Sequence, residues 1–148
     1  MVVSHHEDLL MPNLDWMIGR RIARIWLAEP ASWWFGLAAG GSIRADTLWR
    51  IVADGRVQAT SADHGQAFGL HEPVDSAVRA TLALSNAAVR RASVLSDTGD
   101  VVLDFDNDCR LEILTTSTGD EGWSVMFPNG DEAIALGAGQ DQLRRRDG

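Results

Sequence analysis

The sequence predicts a mainly-β (α+β) fold: two similar antiparallel β-meander halves forming one sandwich or barrel-like domain, joined by one helix. Three observations carry this. Two segments, "RRIARIWLAEPASWWFGLAAGGSIRADTLWRIVADGRVQA" and "AVRRASVLSDTGDVVLDFDNDCRLEILTTSTGDEGWSVMFPNGDEAIAL", run through the same order of apolar and polar stretches. Each reaches a hairpin dipeptide, Asp54-Gly55 or Asn129-Gly130, of the kind that supplies the positive φ angles of tight turns. Between them, "HEPVDSAVRATLALSN" has helical spacing. At 148 residues the chain suits a single domain with one core.

In chain order, "SHHE" reads as a capping box opening a short helix that Pro12 stops, with His5 and His6 as terminal residues. The first β repeat spans 14–62. It opens on a basic strand around Ile22, continues through "WWFGL" and "SIRA", and ends with the Trp-led strand "WRIVA". A crossover loop and helix span 63–85. Val74, Ala77, Val78 and Leu82 share a helical face expected to pack over a sheet. Asp75 and Arg79 form an i,i+4 pair, and Pro73 suits the first turn of a helix near 73–84. The second β repeat spans 86–137, through Val89, "VVLDF", "RLEI" and "WSVMF". Residues 138–148 read as a flexible tail, with Arg144–Arg146 solvated in it.

One constant offset aligns Trp33, Phe35 and Leu37 with Val101, Leu103 and Phe105, and Ile43 and Ala45 with Leu111 and Ile113. Strand side chains alternate between faces, so these residues point to the core. A tip of Asp106–Asp108 then pairs Leu103 with Leu111 and sets Asp104 opposite Arg110. In the first half the tip Ala38–Gly40 pairs Phe35 with Ile43. The alternate carboxylates of "VVLDFDNDCRLEIL" therefore fall on a turn and a solvent face, where Asp and Asn are favoured. A calcium loop of the EF-hand type wants glycine and glutamate where Cys109 and Thr115 stand, so no metal is expected.

The net charge is −8, and every one of the 13 basic residues is arginine. An acidic chain whose arginines are scattered along the sequence disfavours nucleic acid as a partner. No apolar run approaches the roughly 20 residues that span a bilayer, so no membrane is expected either. The single cysteine, Cys109, excludes an internal disulfide, and no basic n-region opens the chain, so a cytoplasmic location is expected. Nucleophile-elbow, P-loop, zinc-protease and dinucleotide patterns are absent, and no cofactor is expected. The most enzyme-like stretch is "SADHGQAFGLHEP", residues 61–73, with Asp63, His64, His71 and Glu72. It is the basis of an alternative reading as a small-molecule-binding protein or a hydrolytic enzyme, with His64 or His71 as general base.

Five of the six tryptophans precede residue 50. Trp49 and Trp123 correspond between the halves and read as core. Trp33 and Trp34 are adjacent, so they must face opposite ways, and Trp33 shares the core side with Phe35. Trp34 is left on the outer face across from Arg44, whose guanidinium can stack on the indole. Two outcomes are open for that face: cover by the helix around Val78, or use as an interaction surface.

The entry "MIGRRIARI", the hairpin "VVLDFDNDCRLEI" and "EGWSVMFPNG" together resemble a pattern in families of small uncharacterised bacterial β-rich proteins. Some of these are similar to immunity or accessory proteins encoded beside toxins. The resemblance spans residues 14–136 and implies a β-rich fold; it transfers no catalytic or ligand residues. The missing catalytic motifs, the strong acidity and the outward Trp34 make a non-catalytic protein-binding module or homodimer the expected function, immunity- or accessory-like in form, with Trp34 and Arg44 as binding residues. The net acidity favours a basic partner.

Overall fold

Asp54 and Gly55 both take positive φ, 54° and 71°, and Ala53 pairs with Arg56 across them, as the dipeptide predicts. The computed structural model describes residues 13–117, 122–135 and 143–146. The short helix expected from "SHHE" lies outside these residues. The first half comprises β1 (Ile22–Ala28), β2 (Ser32–Leu37), β3 (Ser42–Ala45), β4 (Trp49–Ala53) and β5 (Arg56–Thr60). Helix α1 (Ser76–Leu84) follows, and then β6 (Val89–Val94), β7 (Val101–Phe105), β8 (Arg110–Ile113), β9 (Trp123–Met126) and β10 (Glu132–Ala135). In the stretch read as a flexible tail, Leu143–Arg146 forms β11, paired antiparallel with β10.

Two antiparallel sheets result, one in the order β1-β2-β3-β9-β10-β11 and one in the order β5-β4-β8-β7-β6. Neither half owns a sheet. The β1–β3 meander is continued by β9 from the second half, and the β6–β8 meander is continued by β4 from the first. The cross-pairs are equivalent: Trp33, Ala45 and Trp123 form one row, and Val101, Ile113 and Trp49 form the matching row. The register irregularity between Ile22 and Arg24 in β1 recurs between Val89 and Arg91 in β6. Arg21 and Ala88, which occupy the same place in the two halves, bridge to each other, so an internal pseudo-twofold axis passes close to them.

The hairpins keep the expected register. Phe35 faces Ile43, Trp34 faces Arg44, Leu103 faces Leu111 and Asp104 faces Arg110. Alternation then fills the space between the sheets with Phe35, Ile43, Trp123 and Val125 from one and Trp49, Ile51, Leu103, Phe105, Leu111 and Ile113 from the other, all fully buried. Trp49 meets both Trp33 and Phe35 edge-on, with ring centroids 5.2 and 5.3 Å apart.

Helix α1 corrects two expectations. It packs against β1 and β5. Its buried side is Ser76, Ala80 and Leu84, with Ala77 and Ala83 partly covered, whereas Val78 and Leu82 are 53% and 73% exposed. Small residues let the helix sit close to the strands, which reverses the face that side-chain size suggested. Asp75 is the N-cap, and its carboxylate accepts from the N–H groups of Ala77 and Val78. Pro73 therefore precedes the helix rather than entering it.

The helix C-terminus is closed from a distance. Asn107, in the β7–β8 tip, donates to the carbonyls of Ala83 (3.2 Å) and Leu84 (3.0 Å), and the Cys109 thiol donates to Ala83 (3.2 Å). The Ala83 carbonyl has no partner within the helix, so the tip supplies one, and Leu84, which accepts the Ala87 N–H at 2.8 Å, gains a second donor. Asp106 holds Ala88 twice, through its own backbone N–H and by accepting the Ala88 N–H on its carboxylate. Asp108 pairs with Arg90 at 3.3 Å, and Asp104 with Arg91 at 3.7 Å. The carboxylates that look like a metal loop each have a different task.

Candidate functional site

Two outer faces flank the same core, and they differ. On β1, Trp26 pairs with Trp34 of β2, and the two rings stack with centroids 5.9 Å apart and planes 10° apart. Arg24, two residues before Trp26 on the same face, lays its guanidinium 4.6 Å from the Trp26 ring centre. Arg44 of β3 lies 5.9 Å from the Trp34 ring and is held by Asp46 at 3.1 Å. Asp46 in turn accepts from the Ser32 hydroxyl at 2.6 Å. The result is a layered row of Arg24, Trp26, Trp34 and Arg44 across three strands. Each aromatic–aromatic or cation–ring contact contributes on the order of 1 kcal/mol.

Helix α1 does not lie over this row. Opposite residues of an antiparallel pair share a side, so Ile25 points inward with buried Phe35, and Trp26 points outward with Trp34. The helix contacts the inward side, where Ile25 joins Ala77, Val78, Thr81 and Leu82 to line a shallow open apolar groove. Of the two outcomes left open for the Trp34 face, cover by the helix is corrected. The sequence does not place Trp26, because the register shift at the start of β1 resets the alternation that would assign its side.

The second sheet offers an internal comparison. The places of Trp26 and Trp34 are taken there by Ser93 and Val102, which face each other. Around them lies a charged network in which Glu112 accepts from Arg50 (2.6 Å) and from Arg110 (2.8 Å). Burial alone would raise the Glu112 carboxyl, but the hydrogen bonds and charges of Arg50 and Arg110 outweigh it and hold the group below its ordinary range.

His64 is near the helix start. Its Nδ1 accepts the Ser76 backbone N–H at 3.1 Å, and its ring stands edge-on to Trp33, centroids 5.0 Å apart. Its Nδ1 lone pair therefore orients the helix. Asp63 ends a 3-10 turn, Ser61–Asp63, while His71 and Glu72 are exposed in the loop beyond. The loop is internally bonded, Gly65 to Val74 and Val74 to Gln66, and presents Phe68 and Leu70 to solvent. Burial raises the Cys109 thiol above its ordinary range, which suits a donor to a helix carbonyl. Among the described residues no three potential metal ligands cluster, and no helix is long and apolar enough to cross a membrane.

No protein-family model matches this sequence, nor does any curated protein or solved structure. Among the described residues the fold is a mainly-β two-sheet domain with one α-helix.

Proposed function

We propose that this chain is a non-catalytic, cytoplasmic protein-binding module that docks on a protein partner, or on a second copy of itself, through the outer face of its first sheet. The observation that supports it is the contrast between equivalent positions. Ser93 and Val102 serve the scaffold in one half, so the scaffold does not require Trp26 and Trp34 in the other. Paired tryptophans that stay half-buried on an outer sheet face keep part of their apolar area in water, and rigid aromatic rings with neighbouring arginines are what binding hot spots are made of. An immunity- or accessory-like role, as in the families the sequence resembles, is one form of this function.

The test is co-purification from the native cell together with sizing of the wild type and of a double variant, Trp26→Ser and Trp34→Val. These substitutions install the residues of the other half. Loss of a partner or dimer from a folded double variant supports the reading. Retention of the partner by that variant removes this face as the site.

A further inference from the structure

We infer that the partner enters as an extended acidic segment, added as a further strand to the free edge of β1. This rests on the protein-binding reading above and names the partner's chemistry. Strand β1 ends the six-stranded sheet, and among the described residues no backbone hydrogen bond ties Ile22–Ala28 to anything beyond β2. An unpaired edge is a template for one more strand.

The two sides of that edge carry different chemistry. On the outer side Arg24 is exposed, lies against the Trp26 ring, and has no carboxylate within ion-pair distance among the described residues. Arg21, also exposed, lies just before the strand. A guanidinium backed by an aromatic ring is oriented to take a carboxylate by two parallel hydrogen bonds. On the inner side is the groove of Ile25, Ala77, Val78, Thr81 and Leu82, with Val78 and Leu82 exposed beside it. Side chains of an added strand alternate between these sides. The segment that fits has carboxylates at every second position and apolar residues between them.

The chain's net charge of −8 pulls the other way, towards basic partners. At contact distance the local charge decides, because fields from charges more than about 10 Å away are screened at ordinary salt. Strand β6 supplies a control. Its Arg91 stands where Arg24 stands in β1, but it already faces Asp104 at 3.7 Å.

The experiment uses the full chain and a fluorescent peptide of about ten residues, a usual upper strand length, with Asp and Leu alternating. Anisotropy is expected to show saturable binding. Arg24→Glu and, separately, Leu82→Asp are each expected to weaken it by about tenfold or more, as loss of a charge-assisted pair or a buried apolar contact does. Arg91→Glu is expected to leave it unchanged. Equal binding of an alternating Arg-Leu peptide, indifference to Arg24→Glu, or an equal loss in Arg91→Glu overturns the inference. So does a chain that is dimeric in wild type and in Arg24→Glu alike and binds no peptide. A native partner lost in the Trp26→Ser, Trp34→Val variant but kept by Arg24→Glu leaves the protein-binding reading standing and removes only the acidic strand.

Discussion

Trp26 and Trp34, stacked on each other and flanked by Arg24 and Arg44, make three ring contacts on the solvent side of the first sheet. At roughly 1 kcal/mol for each contact, less the entropy of ordering the side chains, the row contributes about 2 kcal/mol. Replacing both rings by Ser and Val is therefore expected to lower Tm by only several degrees and to leave a cooperative transition, measurable by circular dichroism. A variant that fails to fold would show that the stack belongs to the scaffold. Half of this row is legible in the sequence. The side of Trp34 follows from adjacency to Trp33, and its partner Arg44 follows from a three-residue tip. Trp26 is not legible, because a shift of one residue in β1 decides its face.

Glu112 makes a prediction of opposite kind. Its folded pKa lies below the unfolded value, so its contribution is present above the unfolded pKa and is lost as pH falls through the folded one. Denaturant titrations on either side of about pH 4, the ordinary carboxylate range, are expected to show wild type losing more stability on acidification than Glu112→Gln. Parallel losses would mean that the two arginines do not stabilise the ionised carboxylate.

Among the elements, the hairpins are legible because the sheet period of two leaves little freedom once one core residue is known. The helix is legible as a helix but not in its orientation. Ala80, Ser76 and Leu84 pack inward, and no pattern built on side-chain size finds a contact that depends on small residues. Nor does sequence show that Asn107 reaches back to Ala83 and Leu84, since the link exists only once both elements are placed. Asn107→Ala should cost about 1 kcal/mol by removing one of two donors from each carbonyl, Ala83 keeping the Cys109 thiol and Leu84 the Ala87 N–H. Amide exchange should quicken at the last turn of the helix before it does in the sheets. Uniform quickening would mean that Asn107 acts on global stability alone.

For the whole molecule, the role of the three alternate aspartates is decided by what the fold asks of them. Asp104 serves Arg91, Asp106 serves Ala88 and Asp108 serves Arg90. Calcium at millimolar concentration is expected to leave Tm unmoved, because an ion bound only by the folded state would raise it. A rise of several degrees would show that the three carboxylates leave those partners for a shared cation.

The interchange of strands between halves has a mechanical consequence. Chymotrypsin should find Phe68 and Leu70, 64% and 51% exposed, in the loop between the halves. A cut there severs the backbone but none of the β3–β9 or β4–β8 ladders, which clasp one half to the other. The nicked material is expected to travel through a sizing column as one particle and to melt in one step. Each piece made separately lacks the strands that complete its sheet, so each should be unfolded alone and regain strand signal on mixing. The protein is in that sense a split reporter already assembled, with its dividing line at residue 68.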